Sequence, residues 1–142
     1  MHPDECKQAV MAAWKAFGSR DRARIEACLA PDVEWLAPPQ NATAIALQDT
    51  HHLVGRDRII RFLVDEFPRL FVRDVRVDFG SILCEGDTVI VEERMQAELA
   101  NGRHYDNHYC LFFVLDPQGR IRRVREYMDT RKAHECIFGE AA

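Results

Sequence analysis

The chain reads as an α+β domain with helices in its first half and a meander of strands in its second. Three observations carry that reading. Apolar residues recur at helical spacing as far as Phe67, and the period then switches to two. Turn signals punctuate the second half at Glu85-Gly86-Asp87, Asn101-Gly102 and Asp116-Pro117-Gln118-Gly119. Helices and sheet each need a partner for their apolar side, so the helices are expected to cover one face of an antiparallel sheet.

In chain order, Val10, Met11, Trp14 and Phe17 form the stripe of a first helix from Asp4, with Gly18 as its stop. Asp21 opens a second helix through Ile25, Cys28 and Leu29, and Pro31 ends it. Val33, Trp35 and Ala37 alternate with Glu34 and Leu36 in a short strand closed by Pro38-Pro39. The segment from Pro38 to Val54 has no period and reads as a loop. A third helix spans Asp57 to Phe67, with Ile59, Ile60, Leu63, Val64 and Phe67 on one face and Pro68 at its end.

The strands follow. Val75, Val77 and Phe79 alternate with Asp74, Arg76 and Asp78. Val89, Val91, Glu93 and Met95 alternate with Thr88, Ile90, Glu92 and Arg94. A long strand runs from Arg103 to Leu115 and a last one from Arg120 to Met128. Asp129-Thr130 reads as the N-cap of a final helix, Arg131 to Phe138.

Composition narrows the function. The 142 residues are one domain's worth, 1–142, enough to bury roughly two-thirds of the unfolded surface. A net charge of −4 speaks against nucleic acid, which needs a basic face; the cations between Arg120 and Lys132 alternate with Glu126 and Asp129. No run of apolar residues approaches a membrane span, and the start MHPDECKQAV lacks the pattern of a secretion signal. Five scattered cysteines, odd in number and without a C-x-x-C pair, suit a reduced, cytoplasmic chain with no thiol nucleophile. The nucleotide-cofactor motifs are missing, and the adjacent His51 and His52 diverge too much to ligate one metal, so neither cofactor nor metal is expected.

Alternation sorts the strand residues by face. Tyr105, Asn107, Tyr109, Leu111 and Phe113 share one side, opposite Asp106, His108, Cys110 and Phe112. The polar, aromatic end of the first set suits the mouth of a pocket, where Tyr105, Asn107 and Tyr109 can orient a substrate carbonyl. Placing Val124 inward places Glu126 and Met128 inward too. A carboxyl among apolar neighbours has its pKa raised toward neutrality, where it can give and take a proton. Glu126 is thus the first catalytic candidate, and Glu93, which shares a face with Val91 and Met95, is the second. Either glutamate would be neutralised by an arginine such as Arg94, Arg123 or Arg125 if one faced it. His51 and His52 lie in the unpatterned segment, where a lid could fold over the opening. Trp14, Trp35, Met95 and Met128 complete the expected substrate wall.

Asp32-Val33-Glu34-Trp35, Val54-Gly55-Arg56-Asp57-Arg58-Ile59 and Gly119-Arg120-Ile121 through Arg125-Glu126-Tyr127-Met128-Asp129 resemble the SnoaL-like branch of the nuclear transport factor 2-like superfamily, which includes ketosteroid isomerase and polyketide cyclase relatives. The resemblance covers nearly the whole chain. It implies a cone-shaped, cystatin-like fold, with three N-terminal helices on the concave face of a curved, mainly antiparallel sheet. Tyr105-Asp106-Asn107-His108-Tyr109 and Arg125-Glu126-Tyr127-Met128 are also similar to the phenazine-biosynthesis A/B proteins. That likeness implies a strand glutamate and a loop histidine as acid and base, on Glu126 and on His51 or His52. It also implies a homodimer through the outer sheet face, where Ile90, Cys110 and Phe112 lie.

Two functions follow. One is a cofactor-free enzyme that moves a proton next to a carbonyl of a small hydrophobic ligand, in isomerisation, cyclisation or dehydration-condensation. The other is a non-catalytic module that uses the same cavity to hold a ligand or to dimerise. An epoxide-hydrolase-like Asp-Arg-Asp arrangement is not placed by the sequence.

Overall fold

The computed structural model describes residues 1–139. Helix α1 (Pro3–Ser19) starts at a reciprocal cap, with His2 Nδ1 accepting from the Asp4 N–H and Glu5 Oε1 accepting from the His2 N–H. It runs through Gly18 and stops at Arg20 in the left-handed conformation. Asp21 caps α2 (Arg22–Cys28), as expected. Strand β1 (Leu29–Leu36) begins earlier than the sequence suggests and contains Pro31. The proline is tolerated because the ladder to the neighbouring strand is interrupted between Leu29 and Glu34, so its missing N–H breaks no pair.

The segment expected to be a loop holds two short elements, α3 (Ala42–Leu47) and β2 (His52–Val54). Six and three residues are too few to show a period. Asn41 specifies α3 instead: its Oδ1 accepts from Ala44 N–H at 3.0 Å and its Nδ2 donates to Pro38 O at 2.9 Å. The third expected helix is divided into α4 (Arg56–Arg61), a π turn (Phe62–Glu66) and α5 (Phe67–Leu70). Pro68 stands in the first turn of α5 rather than after its end. A proline ring clashes with the carbonyl four residues back, and the π turn widens the helix there.

Strands β3 (Phe71–Glu85), β4 (Thr88–Leu99), β5 (His104–Leu115) and β6 (Ile121–Met128) form the expected meander. Gly102, at φ 83°, makes the β4–β5 turn that other residues would strain. The sheet order is β2-β1-β6-β5-β4-β3, with β1 parallel to β6 and all other neighbours antiparallel. Three register shifts along β3 bend the sheet. Asp129 caps α6 (Thr130–Phe138), which closes the chain's described part.

Alternation on β4 and β5 turns Val91, Glu93, Met95, Tyr105, Asn107, Leu111 and Phe113 inward. One core cluster joins α1 and α4 to the sheet through Val10, Phe17, Ile59, Leu63, Leu111, Phe113 and Val124. A second joins Ala42, Phe71, Met95, Tyr105, Ala133 and Ile137 at the other end. Tyr109 packs against both clusters, and the space between them is not filled.

Candidate active site

That space is a cavity of about 310 Å³. Its wall is mostly apolar: Trp14 and Phe17 from α1, Phe62, Leu63 and Phe67 around the π turn, and Phe71, Val75, Val77, Met95 and Leu111 from the sheet. Five polar side chains border it, Arg20, Thr43, Glu93, Tyr109 and Glu126. Trp14 is fixed by edge-on contacts to Phe17 and Phe113, with ring centroids 5.5 and 5.6 Å apart.

Glu126 and Glu93 reach the cavity from the two strands that flank β5. In register Glu93 stands beside Tyr109 and Glu126 beside Leu111, two residues further along the same strand. The Trp35 indole N–H donates to Glu126 Oε1 at 2.8 Å. Burial raises the Glu126 pKa to about 7, and the Trp35 hydrogen bond opposes the rise. Glu93 is 6% exposed, and its Oε2 has no hydrogen-bond partner. Burial, followed by the charge of Glu126, raises its pKa to about 8. No arginine neutralises either group among the described residues. Arg94 pairs with Asp106 on the outer face, and the Arg125 guanidinium stacks on Phe112 there.

Tyr109 ends a buried chain of hydrogen bonds. The Asn107 Oδ1 accepts from the His108 N–H at 2.9 Å, which fixes the orientation of its amide. Asn107 Nδ2 then donates to Asp129 O at 3.0 Å and to the Tyr105 hydroxyl at 3.1 Å. The Tyr105 and Tyr109 hydroxyl oxygens lie 2.6 Å apart and share a hydrogen bond in which either can donate. Burial holds Tyr105 at about 12 and Tyr109 well above the usual phenol range, so both stay protonated.

The structure therefore brings Glu126, Glu93, Tyr109, Met95 and Trp14 to one cavity. Trp35 and His51 lie on the other side of the Glu126 carboxylate, around a void of about 40 Å³ that shares Thr43, Phe62 and Glu126 with the larger one. Tyr105 and Asn107 do not reach the cavity; both are buried behind Tyr109 and position it. Met128, the last residue of β6, borders neither space. His52 is turned away as well. Leu53 is the buried residue of β2, so the pleat puts His52 outside, where its Nε2 lies 2.9 Å from Glu34 Oε1. Arg20 and Thr43 are site residues that sequence reasoning missed. Arg20 follows a helix end and Thr43 sits on a helix too short to show a period, so neither carries a local signal.

Among the described residues no cluster of three or more His, Cys, Asp or Glu could hold a metal ion, and no helix is long and apolar enough to cross a membrane. The five cysteines are free.

A family model for the SnoaL-like domain matches residues 10–124. The chain belongs to this family, within the nuclear transport factor 2-like superfamily. No curated protein matches it by sequence. Among solved structures, this SnoaL-like chain is similar to an NTF2-like protein of unknown function from Burkholderia pseudomallei, with 22% identity and a TM-score of 0.80 over 94% of this chain and 97% of that one. It is also similar to TerC, co-crystallised with polyporic acid, with 22% identity and a TM-score of 0.78 over 94% and 98%. An LEH-like epoxide hydrolase of M. tuberculosis shares 20% identity and a TM-score of 0.73 over 97% and 92%. At these identities the likeness establishes the fold. Family and cavity together support a small-molecule catalytic or binding role.

Proposed function

We propose that the SnoaL-like chain is a cofactor-free acid–base enzyme that moves a proton next to the carbonyl of a small apolar substrate. Isomerisation, aldol-type cyclisation and dehydration-condensation all share that step. The observation that carries it is the Glu126 carboxylate at the wall of an apolar cavity, held by one indole N–H and, among the described residues, paired with no cation. Just above neutrality Glu126 is ionised and Glu93 still carries its proton. Glu126 removes the proton from the carbon next to the carbonyl. Tyr109 and neutral Glu93 donate hydrogen bonds to the oxygen on which charge develops, where the apolar wall strengthens them. Glu126 then returns the proton at another position or to a leaving group.

Of the two loop histidines, His51 lines the smaller void together with Glu126 and is taken as the proton relay, whereas His52 faces Glu34. Glu93 and Glu126 are the only carboxylates of the cavity among the described residues, which leaves no Asp-Arg-Asp set for epoxide hydrolysis. The reading includes a cytoplasmic homodimer, joined through the outer sheet face where Ile90, Cys110 and Phe112 are half-buried and Tyr127 is exposed.

The test uses 5-nitrobenzisoxazole, a neutral, planar compound whose ring opens when a base removes its carbon-bound proton. Wild type is expected to accelerate the opening, with a rate that rises through pH 7. Glu126→Gln should slow it about a hundredfold or more, as loss of a general base does. Turnover that is indifferent to Glu126→Gln sinks the proposal. Binding of the compound without turnover favours the ligand-holding module instead.

A further inference from the structure

The proton-transfer chemistry leaves one charged group of the cavity unused. Arg20 follows α1 with φ 58°, a conformation that favours glycine or asparagine at a helix end. Its Nη1 donates to Phe17 O at 3.0 Å, and its guanidinium lies 4.7 Å from the centroid of the Phe67 ring. Both contacts hold the guanidinium at the cavity wall, with most of its five N–H donors unspent. No carboxylate forms an ion pair with it among the described residues, whereas Arg22, two residues on, is paired with Asp65 at 2.6 Å. Burial is the cause that lowers the Arg20 pKa, and a guanidinium remains charged regardless. A half-buried cation without a counter-ion is costly, unless a ligand supplies one.

We infer that Arg20 binds the substrate's carboxylate, so that the ligand is an apolar carbonyl compound carrying one carboxylate. The carbonyl rests on the proton-transfer reading above; the carboxylate stands on Arg20 alone. A single charge is favoured because Arg20 is the cavity's one cation among the described residues, and two glutamates share the space. A carboxylate also matches the planar fork of donors in paired geometry.

The test compares 4-acetylbenzoate with its methyl ester, two probes that share the ketone and ring and differ in the charge. Binding is followed at pH 7 by the fluorescence of Trp14 and Trp35, which border the two voids. Wild type is expected to bind the acid about tenfold more tightly than the ester, the ratio for one partly solvated charge-assisted contact. Arg20→Gln removes that preference, with the loss falling on the acid, and Arg20→Lys keeps part of it. Equal affinities in wild type, no detectable binding of the acid at millimolar concentration, or a preference that survives Arg20→Gln overturns the inference. The two readings fail separately. 5-Nitrobenzisoxazole has no carboxylate, so its turnover reports on the base, whereas the acid–ester ratio reports on Arg20.

Discussion

Replacing Glu93 by glutamine is expected to destabilise the protein in acid and stabilise it in mild base. The folded state raises the Glu93 pKa from 4.5 to about 8, chiefly by burial. A carboxyl with a raised folded pKa holds its proton more tightly in the folded chain than in the unfolded one. Its contribution to stability is therefore whole below pH 4.5 and is lost as pH rises through about 8. Each pH unit between those values costs about 1.4 kcal/mol, which over the interval amounts to an upper limit on the order of 5 kcal/mol. Water in the cavity reduces that limit.

Glutamine cannot ionise, so Glu93→Gln removes the whole pH-dependent cost. In exchange its amide places two donors where Glu93 Oε2 already lacks a partner, a cost of about 1–3 kcal/mol at every pH. The variant should be less stable than wild type at pH 5 and more stable at pH 8, by at most about 2–4 kcal/mol. At about 4 °C per kcal/mol for a chain of this size, Tm at pH 8 rises by up to about 10 °C. Thermal unfolding followed by circular dichroism between pH 5 and 9 reads the crossing directly. Parallel curves for the two proteins would refute the reasoning, because they would mean that Glu93 keeps an ordinary pKa in the fold.

Trp35→Phe removes the indole N–H from Glu126 while keeping an aromatic wall. Since that bond favours the ionised carboxylate, the midpoint of the pH–rate curve for 5-nitrobenzisoxazole should move up by about one unit, and an unmoved midpoint contradicts the role given to Trp35. Asn41→Ala removes the cap of α3 and leaves the Ala44 N–H without its acceptor, while the Pro38 carbonyl keeps the backbone N–H of residue 41. Stability in urea should fall by about 1–2 kcal/mol, whereas an unchanged midpoint would show that α3 does not depend on its cap.

The inward faces of β4, β5 and β6 were legible because a strand's period of two needs only local sequence. Placing Val91 and Val124 inside places Glu93 and Glu126 inside with them. The same rule put Tyr105, Asn107 and Tyr109 on one side, but it has no depth. Only packing shows that Tyr109 reaches the cavity while Tyr105 and Asn107 stand behind it. Met128 shares the face of Glu126 and, as the last residue of β6, misses the cavity.

From the residue pattern alone came the α+β order, the antiparallel meander and the two carboxyls on its inner side, since these follow from periodicity and turn chemistry along the chain, whereas the curvature of the sheet came only with the family resemblance. Tertiary structure decided how His51 and His52 part company, that Arg94 and Arg125 are spent on the outer face, and that Arg20 joins the cavity from a helix end. Those are distances between residues far apart in sequence. The electrostatics of the site depend on such distances, so the chain's pattern holds no record of them until the elements pack.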